Sequence, residues 1–167
     1  LTINGETRTL LDFMKHNLDC QHYDDFGNSL QKAIENYGLD CQIRIRHPDG
    51  VIKLSTGTPP SALEEVLLEK CDGQSGVFVF KQRLLINNPS ISILIPDLPA
   101  EIDAAHRLQD NLIILAEATE CLIQSVTDRR NVVVTTENIQ VAALNAHEAV
   151  KELQSDYQRQ QADTHLL

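Results

Sequence analysis

A chain of 167 residues, 42% hydrophobic and 23% charged, suits one domain, or one domain with an extension, built around a buried core. Aromatic residues make up only 4% and Trp is absent, so that core must be aliphatic. The excess of 24 acidic over 14 basic residues, a net charge of -10, repels phosphate groups and argues against nucleic acid and against an anionic membrane surface.

The chain opens LTINGETRTLL, which lacks the charged and apolar regions of a signal peptide. It also lacks an initiator Met, since Met14 stands alone, so the sequence reads as a piece of a longer protein. Leu10, Leu11, Phe13, Met14 and Leu18 then recur at helical spacing, which predicts a helix over roughly Thr7 to Asn17. A second helix is predicted from Tyr23 or Asp24 to Tyr37. Asp24 or Asp25 serves as its cap, Phe26, Leu30, Ala33, Ile34 and Tyr37 form its apolar face, and Gly38 stops it.

Ile43 and Ile45 alternate with Gln42, Arg44 and Arg46, the period of a strand with one buried face. His47-Pro48-Asp49-Gly50 has the chemistry of a turn, so Val51 to Leu54 returns as the second strand of a hairpin. Arg44 and Arg46 share one sheet face, where arginines most often have no specific task. Ser61-Ala62-Leu63-Glu64 has capping-box spacing and opens a short helix bearing Leu63, Val66, Leu67 and Leu68. A polar loop, Asp72-Gly73-Gln74-Ser75-Gly76, follows.

Three short strands come next: Val77 to Phe80, Arg83 to Ile86, and Ser90 to Ile95. Their connections, Lys81-Gln82 and Asn87-Asn88-Pro89, are too short for crossovers, so the strands form an antiparallel meander. Ile91, Ile93 and Ile95 are expected on one buried face, and Pro96 and Pro99 end the sheet.

From Ala100 the period changes. Ala105, Leu108, Leu112, Leu115, Thr119, Leu122 and Val126 follow alternating spacings of three and four, a heptad-like seam. The β-branched run Val132 to Thr136 weakens the helix, and a second seam (Ile139, Ala143, Ala146, Val150, Leu153 and Tyr157) runs one residue out of phase with the first. Two arrangements satisfy this pattern: one long helix that changes register, or two helices separated by a kink or turn. The polar tail QRQQADTHLL is expected to fray.

No nucleophile elbow, phosphate-binding loop, dinucleotide fingerprint or zinc-protease motif is present, and the six histidines are scattered, so no catalytic residue and no metal ligand is assigned. No cofactor is assigned either. Cys20, Cys41, Cys71 and Cys121 lack disulfide or zinc spacing and read as reduced thiols of a cytoplasmic protein.

The predicted order of elements and several sequence blocks resemble the GAF and PAS class of sensory domains. More narrowly, they resemble a bacterial module that directly follows the receiver domain in some two-component response regulators. The blocks are TINGE, ENYGLDCQIRI, FKQRLLINNPSISILIPDLP and RLQDNLIILAEATECLI. The family pattern falls on Gly5-Glu6, on Tyr37-Gly38-Leu39, on Arg83-Leu84 with Asn87-Asn88-Pro89, and on Arg107 with Asp110-Asn111-Leu112. The resemblance spans about Gly5 to Val126; the cyclic-nucleotide signature and chromophore cysteine of some GAF domains are missing.

It implies an α+β fold: an antiparallel sheet of five or six strands flanked by helices, with a long C-terminal helical extension. Residues 1–99 would form the GAF-like body and 100–128 its terminal helix, while the second seam, by its own periodicity, predicts a helical extension of coiled-coil type over 129–167 with a frayed tail. The resemblance also implies a non-enzymatic signalling domain preceded by a receiver that the chain lacks. Phosphorylation of that receiver would be relayed to a homodimer or partner through the seam Leu108, Leu112, Leu115, Leu122, Val126, Ile139, Val150 and Leu153. The rival expectation is a small-ligand sensor with an apolar pocket between the sheet and the helix from Ser61.

Overall fold

The computed structural model describes residues 2–71 and 73–165. The chain divides after Thr127 into two compact units.

In the first unit, helix α1 (Ile3–Asn17) begins earlier than the apolar pattern predicts, because Thr2 caps it by accepting from the Gly5 amide at 3.2 Å. Helix α2 (Tyr23–Asn36) starts after His22, which makes no side-chain cap bond; Asp24 and Asp25 lie inside its first turn, where they favour the helix dipole instead of capping it. Its end is the expected one. Gly38 turns at φ 75°, and the amides of Gly38 and Leu39 return to the carbonyls of Glu35 and Ile34.

Strands β1 (Gln42–His47) and β2 (Gly50–Ser55) form the predicted hairpin, with Ile45 opposite Ile52. Helix α3 (Ala62–Lys70) carries the full capping box: Ser61 accepts from the Glu64 amide, and the Glu64 carboxylate accepts from the Ser61 amide. The meander is β3 (Gly76–Phe80), β4 (Arg83–Asn87) and β5 (Ile91–Ile95). All neighbours are antiparallel in a five-stranded sheet of order β2-β1-β5-β4-β3.

Strand β5 is central, and both its faces are covered. Ile91, Ile93 and Ile95 join Ile43, Ile45, Leu84 and Ile86 in the main core with Phe26, Leu30 and Ile34 of α2. On the opposite face Leu85 and Leu94 pack with Leu68 of α3. The buried alternation therefore holds, and Leu94 and Ser92 are buried as well because α3 and the neighbouring polar loop close the second face.

Helix α4 (Ile102–His165) is continuous. It passes through Val132 to Thr136 without the break that the β-branched run raised, for each such residue costs a helix only some tenths of a kcal/mol, on the order of 0.5. The tail also stays helical as far as His165; Leu166 and Leu167 lie outside the described residues. In the first unit, α4 buries Leu108, Leu112, Leu115, Ala116, Thr119, Ile123 and Val126. The second unit consists of the remainder of this helix, and its described residues are exposed throughout.

Candidate functional site

The sequence blocks that carry the family resemblance lie far apart in the chain, yet three of them meet. Glu6 of α1 is buried, its side chain 6% exposed, and its Oε2 lies 3.6 Å from Nε of Arg107 on α4. Asn111, one turn further along α4, donates from Nδ2 to the same oxygen at 3.5 Å. The Tyr37 hydroxyl at the end of α2 donates to the Glu6 carbonyl oxygen at 3.3 Å. Burial, and then the Glu6 charge, push the Tyr37 hydroxyl up to about 12. Arg107 Nε is itself buried without a hydrogen-bond partner, so the ion pair is held by charge and not by a well-directed bond. The joint ties the first helix of the fold to the last.

A second set of polar contacts fixes α4 to the sheet. Glu120 accepts from the Ser90 amide at 2.8 Å, and Gln124 donates to the Ser90 hydroxyl at 2.8 Å. Ser90 closes the Asn88-Pro89 turn between β4 and β5. From the other side, Arg46 donates to the carbonyl oxygens of Pro89 and Asn88 and to the Ser92 hydroxyl. Asn87 continues the network to the carbonyl oxygens of Cys71 and Gln74. Arg46 is therefore a structural brace for that turn, a task that its place on a wet sheet face concealed. Further along, the Tyr23 hydroxyl lies 2.9 Å from the Thr127 hydroxyl, and the Tyr23 ring stacks on His47 at 4.6 Å.

The structure divides the predicted seam. Leu108, Leu112, Leu115 and Val126 are buried in the first unit's own core, where they cover the sheet and cannot face a second chain. Leu122 is only half-buried, and Ile123 takes the core place instead at 1% exposure. The reason is periodic. A helix lying on its own sheet follows about 3.6 residues per turn, whereas the heptad template imposes 3.5; over the four turns from Leu108 the shortfall grows to about 0.4 residue, which brings Ile123 as near the core direction as Leu122. Ile139, Val150 and Leu153 are exposed at 63%, 52% and 69%.

Clefts open on the described surface of the first unit. One of about 400 Å³ lies between α1 and α2 and is lined by Asp12, His16, Asp25 and Lys32 among others. One of about 460 Å³ is lined by Asp40, Glu64, Arg83 and Asp97 among others. Between α3 and the β1–β2 hairpin, where the ligand-sensor expectation places an apolar pocket, there is about 120 Å³, rimmed by Arg44, Lys53 and Glu65. Ile43, Leu54, Pro60 and Leu68 also line it, and the space is smaller than the usual small-molecule site. Among the described residues there is no cluster of three His, Cys, Asp or Glu able to hold a metal ion, and no helix is long and apolar enough to cross a membrane.

No family model and no curated protein matches the chain. Among solved structures it is similar to the native GAF domain of the potassium sensor histidine kinase KdpD from Escherichia coli, at 12% identity and a TM-score of 0.51, over 71% of this chain and 95% of that one. A likeness at that identity is one of architecture, and it shows that this chain has a GAF-like α+β fold.

Proposed function

We propose that the chain is a non-enzymatic signal-transduction domain of a bacterial response regulator, which relays the state of a preceding receiver domain from α1 to α4 and so to a second copy. The observation that carries this reading is the joint of Glu6 with Arg107 and Asn111. It couples the helix that would follow a receiver directly to the helix that bears the exposed seam. The GAF-like fold, shared with a domain of a sensor kinase, supports a place in signalling. The polar groups described brace turns and helices.

In this reading, receiver phosphorylation shifts α1. The shift is resisted or passed on by the Glu6–Arg107 ion pair, which is buried on the Glu6 side. The change in α4 then alters how Ile139, Val150 and Leu153 meet their counterparts in a homodimer.

Sedimentation equilibrium tests both halves. The unmodified chain should dimerise, and Val150→Asp with Leu153→Asp should leave it monomeric. Arg107→Met, which touches no exposed seam residue, should move the dimer dissociation constant by roughly five- to tenfold while the first unit stays folded. A monomer at high micromolar concentration overturns the dimer, and an unmoved constant overturns the relay.

A further inference from the structure

We propose that β3 is a self-pairing edge, by which two copies of this chain join their sheets antiparallel about Phe78.

The two edges of the sheet differ. The outer strand β2 carries Lys53 at its centre, the ordinary device that keeps an edge from pairing. The other outer strand, β3, reads Gly-Val-Phe-Val-Phe, with no charge and no proline. Its large side chains are open to solvent: Val77 at 41%, Phe78 at 46%, Val79 at 53% and Phe80 at 67%. No other strand of the sheet exposes four consecutive apolar residues.

The ladder fixes which backbone groups are free. The Asn88 amide bonds to the Ile91 carbonyl, so Asn88, Ile86 and Leu84 direct their backbone groups to β5. Arg83, Leu85 and Asn87 must then serve β3 through their partners Phe80, Phe78 and Gly76. Val77 and Val79 are left with their amides and carbonyls pointing away from the sheet.

A second β3, antiparallel and centred on Phe78, sets Val77 opposite Val79 of the second copy, and Val79 opposite its Val77. Both are outward-facing residues, so each of the two pairs exchanges two hydrogen bonds. The same register sets Phe78 against Phe78 and lays Phe80 across from Gly76 of the second copy, where it meets the Phe78 ring that covers that glycine. Shifting the register by one residue pairs outward groups with groups already engaged by β4 and loses the bonds.

Size sets the strength. Two part-exposed phenylalanines and two half-exposed valines offer roughly 300–400 Å² per copy. Twice that falls short of the ~1,000 Å² of a stable standalone interface. The pairing is therefore weak, it emerges at high concentration, and it is independent of the helical seam proposed above.

Residue-resolved amide exchange tests it in a chain carrying Val150→Asp and Leu153→Asp, which silences the seam. Between about 20 µM and 1 mM the amides of Val77 and Val79 should slow by roughly tenfold, the extent expected when most chains pair. The amides of Phe78 and Phe80, already bonded to β4, should change far less. Adding Val79→Pro removes one outward donor while sparing the bonds to β4, and should abolish the slowing. Unchanged exchange of Val77 and Val79 at 1 mM, or slowing that persists with Val79→Pro, overturns the proposal. Slowing that appears only when an unrelated strand-forming peptide is added also overturns it, because the edge would then serve a different partner.

Discussion

Replacing Arg107 by Met removes the charge that faces Glu6 and keeps most of the apolar stem. Glu6 is then left 6% exposed, with the Asn111 amide at 3.5 Å as its remaining side-chain partner. Breaking a fully buried ion pair on one side costs ~3–5 kcal/mol. Arg107, however, is 39% exposed. Water screens its half of the pair, and an exposed pair contributes only ~0–1 kcal/mol. The structure lies between these limits, so Arg107→Met should destabilise the first unit by about 1–3 kcal/mol. Glu6→Gln keeps the shape and removes the buried charge, which makes Arg107→Met much cheaper in that background. The double-mutant cycle should therefore give a coupling of about 1 kcal/mol or more. Urea unfolding followed by tyrosine emission is the right assay, because the chain has no Trp and Tyr23 and Tyr37 are buried in the first unit while Tyr157 is exposed. If Arg107→Met costs the same in both backgrounds to within about 0.3 kcal/mol, the pair is not coupled and the α1–α4 joint is only proximity.

Other outcomes follow from the same geometry. Ile93 is fully buried between Ile43 and Ile86 on the paired strands, so Ile93→Ala should cost ~2–5 kcal/mol in urea unfolding, and a loss under about 1 would show that the face repacks or is open. Thiol titration of unfolded, unreduced protein should count all four cysteines; in the native state Cys41 should react last, since burial, opposed by its Thr56 hydrogen bond, pushes it up to about 11. The Tyr37 hydroxyl holds its proton more tightly folded, at about 12, than unfolded, near ~10. Its contribution is thus complete below the unfolded value and is lost as pH rises through the folded one, by at most roughly 2–3 kcal/mol, and Tyr37→Phe should flatten stability between pH 10 and 12.

The elements that sequence reveals well here are those whose cause is local. The β1–β2 turn is written in Pro48, Asp49 and Gly50, the α3 start in Ser61 and Glu64, and the α2 end in Gly38; each residue acts on its immediate neighbours. The meander was legible because its connections are too short for any other topology. What stayed hidden was set by distant partners. Nothing near Arg46 announces that it braces the Asn88-Pro89 turn, and nothing near Glu6 announces Asn111, 105 positions away. The resemblance marks Glu6, Tyr37, Arg107 and Asn111 as motif residues, but only the fold shows that they share one joint. Ile123 was missed for a different reason: a coiled-coil period was applied to a stretch of helix whose neighbour is a sheet.

That same distinction gives the second unit its meaning. From Val132 to Tyr157 the exposed positions Val132, Thr136, Ile139, Ala143, Ala146, Val150, Leu153 and Tyr157 keep strict spacings of four and three, without the slip seen at Ile123. A fold-back hairpin would bury this stripe within one chain, but α4 is uninterrupted and forms no such hairpin. The positions flanking the stripe, where facing helices set their side chains against one another, are Gln140, Ala142, His147, Ala149 and Gln154. Glu137, Glu148, Lys151, Glu152 and Arg159 lie away from it. A chain of net charge -10 would repel its own copy if acids flanked the seam; here most of the flanks are neutral and the charges point elsewhere. Asp156, at a flanking position near the end, is the exception, so Asp156→Asn should tighten the proposed dimer, and more at low salt than at high. Tightening that is the same at both salts would place Asp156 outside the seam and shift the register argued for it.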